Sequence, residues 1–159
     1  MSYPTRRPIG TVLAMNDART TCNQLIRRGI DLCRLYRHAA RAVSEPGLRA
    51  VLNEDAQAFD AVVVELQHEM ERAGGTPRTN GSWRAALRCR LVETMAHAAA
   101  RRDNIWIHAL AQDETALLRA FERAIAELPE ESAKGLRRQL PRLRGIHLDM
   151  HDLAGATHS

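Results

Sequence analysis

Between Asn16 and Val43, the residues Cys22, Leu25, Gly29, Leu32, Tyr36, Ala39 and Val43 recur at spacings that alternate between three and four. An α-helix turns once in 3.6 residues, so this set forms one continuous stripe along a helix; a strand, with its period of two, cannot gather it on one face. The pattern returns three times. Leu52, Asp55, Phe59, Val62, Leu66, Glu69 and Ala73 carry it between Leu48 and Ala73. Ile107, Leu110, Glu114, Leu117, Phe121, Ala124 and Leu128 carry it between Asp103 and Leu128. Leu136, Leu140, Leu143, His147 and Met150, with Ile146 beside them, carry it to about Leu153. Each stripe must be covered by another helix, so the pattern predicts an all-α chain.

Composition agrees. Ala, Leu, Arg and Glu, all good helix formers, dominate, aromatic residues make up 4%, and Val62-Val63-Val64 is the only β-branched cluster. At 159 residues the chain fits one domain able to bury a core without staples. The reading is a flexible arm over 1–14, a single helical domain over 15–154 and a tail over 155–159. The N-terminal stretch has no apolar run of signal-peptide length and no segment reads as membrane-spanning, which predicts a cytoplasmic protein without membrane insertion. Cys22, Cys33 and Cys89 include no Cys-x-x-Cys pair and read as small apolar residues. The charge of +4 comes from 23 Lys and Arg against 19 Asp and Glu, spread along the chain. Arg27, Arg34 and Arg41 repeat every seven residues and read as a solvated face, so a nucleic-acid partner is not expected.

The breaks between stripes set the topology. Ser44-Glu45-Pro46-Gly47 places Pro in the first turn of the second helix with Ser or Glu as its cap, and a link this short makes helices one and two antiparallel neighbours. Gly74-Gly75-Thr76-Pro77 stops the second helix. A further helix, about Trp83 to Ala100 and capped by Ser82, then spans on the order of 27 Å at 1.5 Å per residue. It carries the chain to the opposite end before the third stripe begins. Pro129-Glu130-Glu131-Ser132 is a tight turn, and Pro141 is expected to kink the last helix. Two helical hairpins joined by one long crossover is the ferritin-like four-helix bundle plan, with an extra helix in the crossover. Gly29 predicts a close helix approach.

Several groups of residues carry a resemblance along 21–150: Asp31, Tyr36-Arg37 and Ala39-Ala40; Glu45-Pro46-Gly47-Leu48; Glu65-Leu66-Gln67; Gly74-Gly75-Thr76-Pro77; Gly81-Ser82; Asp113-Glu114; Ala120-Phe121-Glu122; Gln139 and His147. In their order and spacing the chain resembles a bacterial family of ferritin-like four-helix bundles catalogued as a domain of unknown function. The resemblance implies the ferritin-like fold, a bacterial soluble protein and no established activity. Arg34 stands where such relatives often carry a glutamate.

A ferritin-type di-metal site takes a Glu from each of two helices and a Glu-x-x-His from each of the other two, because paired hard cations need bridging carboxylates and finishing imidazoles. The candidate metal ligands are Glu65, His68 and Glu69 on the second helix, Glu114 on the third stripe and His147 on the fourth. The set is half complete. Arg144, not Glu, precedes His147 by three, and the first helix offers only Asp31, beside its stripe. Glu65 and His68 also read as polar residues on a partly exposed flank. Glu114 in the middle of an apolar stripe needs a partner, and the expectation is that Glu114 and His147 meet in the interior. On the last helix His147 and His151 share a face and Asp149 points elsewhere, a surface cluster. No catalytic triad, phosphate loop or dinucleotide fingerprint is present.

The function this predicts is a non-enzymatic ferritin-like bundle in stress or envelope physiology, with a degraded di-metal site, acting through self-association as a dimer or through protein partners. The alternative is an iron- or manganese-binding oxidase or metal store. A nucleic-acid or membrane-surface binder ranks third.

Overall fold

A computed structural model of the chain describes residues 9–156. It contains five helices: α1 (Ile9–Ala42), α2 (Pro46–Arg72), α3 (Trp83–Ala98), α4 (Arg102–Glu127) and α5 (Glu130–Ala156). No strand occurs among the described residues, and none of their helices is long and apolar enough to cross a membrane.

The four long helices form a ring in which α1 packs on α2, α2 on α5, α5 on α4 and α4 on α1. Helix α3 lies outside it, against α4 and α1. The stripes predicted from spacing line the ring interior: Leu25, Tyr36, Leu52, Phe59, Leu110 and Phe121 are all at most 3% exposed. Tyr36 and Phe59 meet across α1 and α2, their ring centroids 5.4 Å apart. A Cβ added to Gly29 would stand 2.7 Å from Val63 Cγ2. The missing side chain is therefore what lets α1 and α2 close, as expected.

Caps explain both ends of α2 and the start of α3. Glu45, not Ser44, caps α2: its carboxylate accepts from Gly47 N–H (2.9 Å) and from Leu48 N–H, with Pro46 in the first turn. At the other end Gly74 takes φ +73°. Its N–H donates to Glu71 O and that of Gly75 to Met70 O, both at 2.9 Å, the paired bonds of a glycine-terminated helix. Asn23 then pins the loop to α1, donating to Thr76 O (3.0 Å) and accepting from Arg78 N–H (2.8 Å). Asp31 accepts from Ser82 N–H at 2.7 Å, and Ser82 caps α3 through Ala85 N–H at 3.0 Å.

Asp103, in the first turn of α4, accepts from the backbone N–H groups of Ser44 and Glu45 at 3.0 to 3.2 Å. This places the start of α4 beside the α1–α2 turn. Helix α3 has carried the chain from one end of the ring to the other, and α2 and α4 run in the same direction.

Two boundaries differ from expectation. Helix α1 begins at Ile9, so residues 9–14 of the predicted arm are helical, and the remainder of that arm, 1–8, lies outside the described residues. Val12 and Leu13 are 44% and 59% exposed; no buried stripe marks this turn, so spacing could not reveal it. Helix α5, with the exposed Pro141 inside it, continues to Ala156, two residues into the predicted tail, whose remainder, 157–159, lies outside the described residues.

Candidate functional site

Five stripe positions put polar groups where the pattern calls for apolar ones: Tyr36 on α1, Asp55 and Glu69 on α2, Glu114 on α4 and His147 on α5. Glu114 is 2% exposed and Asp55 8%, the only charged residues buried among those described. Tyr36 is fully buried and its hydroxyl donates to Glu114 Oε1. Glu114 Oε2 faces His147 Nδ1 at 3.6 Å. That is just beyond hydrogen-bond reach, and neither atom has another partner. The expected meeting of Glu114 and His147 is thus observed. Asp55 Oδ2 and Trp106 Nε1 are likewise buried without a partner.

Burial sets the protonation of both acids. It raises the Glu114 carboxyl to about 9, with a smaller push from the Asp149 carboxylate. It raises Asp55 to about 6, again with contributions from Asp149 and then Glu54. Desolvation favours the uncharged acid because a carboxylate loses its hydration and gains no cation in return. Asp149 itself is exposed, yet its field reaches inward to both groups. At neutral pH Glu114 therefore holds its proton. Tyr36, Glu114 and His147 thus form a polar line from α1 through α4 to α5, broken by the 3.6 Å gap between Glu114 Oε2 and His147 Nδ1.

The remaining sequence candidates go elsewhere. Glu65 and His68 are exposed, so the Glu-x-x-His pair faces away from the interior. Glu69 is partly exposed and is held by Arg138 of α5 and by Arg72 at 3.0 Å. Arg34 is exposed, and Arg144 pairs with Glu122 at 2.9 Å. His147 and His151 stack along one face of α5, centroids 5.8 Å apart. Tyr36 was hidden by its place on an apolar stripe. The signal was there, since a buried tyrosine hydroxyl must find an acceptor. Asp55 carried the same signal as Glu114, a carboxylate on a stripe.

Among the described residues no three His, Cys, Asp or Glu side chains come together in a way that could hold a metal ion. The orphaned Glu114 Oε2 and His147 Nδ1 are donors a cation would take, but Glu114 would first have to lose its proton, and Tyr36 already occupies its other oxygen. The residues present do not fit a di-metal centre. The three cysteines are free, and burial raises the thiol of each; Cys33, also facing Asp60, reaches about 12, well away from thiolate reactivity. A cavity of about 110 Å³ lined by Met15, Cys22, Leu66 and Met70 shares no residue with the polar cluster.

Residues 17–127 match a family described as a domain of unknown function, DUF2383. No curated protein and no solved structure matches the chain.

Proposed function

The chain belongs to the DUF2383 family, and on that premise we propose that it is a non-enzymatic ferritin-like four-helix bundle protein that works by association. The bundle plan is supported by the ring of α1, α2, α5 and α4 and by α2 and α4 running the same way with α3 as crossover, the one-crossover topology of ferritin-like folds. In this reading the interior cluster is the remnant of a di-metal site. A tyrosine stands on α1 where a ligand carboxylate would be needed, the Glu65–His68 pair faces outward, and the acid that remains inside is held neutral. The setting is a bacterial cytoplasm and a stress-related role.

The observation that carries the reading is on α3. Trp83, Leu87, Leu91 and Met95 are 69%, 54%, 58% and 59% exposed and line one side of the helix. A contiguous apolar row of this size is the usual mark of an interaction surface.

Reconstitution with ferrous iron or manganese followed by elemental analysis tests the proposal. Wild type and Glu114→Ala should both retain far less than one equivalent. Stoichiometric metal in wild type that is lost in Glu114→Ala would instead establish the second reading, a metal-binding oxidase or store. The orphaned Glu114 Oε2 and His147 Nδ1 are what favour that alternative.

A further inference from the structure

Helix α3 is apolar on two opposite sides. Cys89, Val92 and Ala96 are buried against the ring, and the row Trp83, Leu87, Leu91 and Met95 points outward. At 100° per residue the centre of the outer row lies half a turn from Cys89. A helix with one apolar side needs only the ring; this one needs a second cover.

The row advances by four residues at each step, so it runs about 18 Å along the helix. With more than half of each of four large side chains exposed, the uncovered apolar surface is on the order of 500 Å². Two such surfaces laid together would bury on the order of 1,000 Å², where specific protein interfaces begin.

We infer that the cover is a second copy of this chain, its α3 packed antiparallel on α3 about a two-fold axis at the level of Cys89. This inference rests on the association reading and names its partner. The row is symmetric about position 89, so the two-fold sets Trp83 of one copy opposite Met95 of the other, and Leu87 opposite Leu91. Both contacts are favourable: a thioether against an indole, and leucine against leucine. Rows of i, i+4 residues slope across the helix axis, and two of them lie side by side when the axes cross at about −50°, the commonest helix-packing class. A two-fold contact is also the commonest way for a chain to close its own surface.

The flanks are basic and do not forbid this arrangement. The Arg84 guanidinium lies over the Trp83 ring at 5.5 Å, and Arg88 is paired with Asp113 at 2.8 Å. Arg90 from both copies adds residual repulsion near the axis. Added salt screens that repulsion, so this dimer tightens with ionic strength, whereas an acidic partner on the same row would be released by it.

Mass measured by light scattering or sedimentation across a wide concentration range is the test, with metal content determined on the same samples. Wild type should reach twice 17.8 kDa, more readily at higher salt. Emission from Trp83 should shift to the blue as the dimer forms, because Trp83 is the exposed tryptophan and Trp106 is already buried. Leu91→Glu should weaken self-association roughly a hundredfold or more, because two carboxylates would be buried in one apolar seam. Its helical circular dichroism and melting should stay those of wild type. Leu87→Ser serves as the milder variant and should also weaken the dimer. A wild type that stays monomeric, or a Leu91→Glu variant that dimerises like wild type, overturns the inference. A metal-free monomer leaves association with another protein standing, and a dimer holding stoichiometric metal overturns the non-metal reading alone.

Discussion

Tyr36 and Glu114, 78 positions apart in sequence, share a hydrogen bond in the interior of the helical ring and tie α1 to α4. Removing the donor leaves a buried carboxyl oxygen without a partner. Tyr36→Phe should cost about 1–3 kcal/mol of unfolding free energy. Glu114→Gln should cost less, because an amide is neutral like the protonated acid and still accepts from the phenol. Urea unfolding at neutral pH compares the two, and equal losses would mean that Glu114 is charged in the fold.

The raised acids fix the sign of the pH dependence. Glu114 titrates near 9 in the fold against an ordinary 4.5, and Asp55 near 6 against 3.8. Between each pair of values the folded state binds more protons than the unfolded one. Stability should therefore be fullest at acid pH and fall as pH rises, through about 6 for Asp55 and on to about 9 for Glu114, by at most about 1.4 kcal/mol per pH unit per group. Denaturant midpoints across that range check it. Glu114→Gln should flatten the slope above pH 6, and Asp55→Asn the slope below it.

Gly29 faces Val63 Cγ2, and a Cβ there would sit at 2.7 Å. Alanine is the better helix former by about 1 kcal/mol, yet Gly29→Ala should destabilise, since forcing apart a packed helix pair costs about 1–3 kcal/mol. Val63→Ala removes the obstructing methyl. The double variant should be more stable than the two single losses add up to, which a double-mutant cycle reads directly.

Asp103 joins the start of α4 to the α1–α2 turn through Ser44 and Glu45. Asp103→Ala should lower stability by about 1–2 kcal/mol. Amide exchange should quicken at Ser44 and Glu45 before it does in the ring interior. Unchanged exchange at those two amides would show that the turn holds without the clamp.

Much of this was legible in the sequence because burial enforces periodicity. The stripes placed the four long helices to within a few residues, except for the start of α1, which lies seven residues before the predicted Asn16. Glu114 stood out because a charge on a stripe breaks the rule, and Gly29 because a stripe position lacked a side chain. The failures have equally physical causes. Glu65 and His68 sit at the spacing of a ligand pair, but spacing fixes how two side chains face each other, not which way the pair faces. Val62, Leu66 and Met70, all buried, turn it outward. The first turns of α1 bury too little to leave a pattern. The outer row of α3 was masked because the apolar residues on its two opposite sides cancel in any measure of amphipathicity.

The crossover has one more consequence. With α2 and α4 parallel, α1 and α5 are parallel too, so Ile9 and Ala156 stand at opposite ends of the ring, roughly 40 Å apart at 1.5 Å per helical residue. Fluorophores placed near the two ends would act as a ruler for the length of the ring.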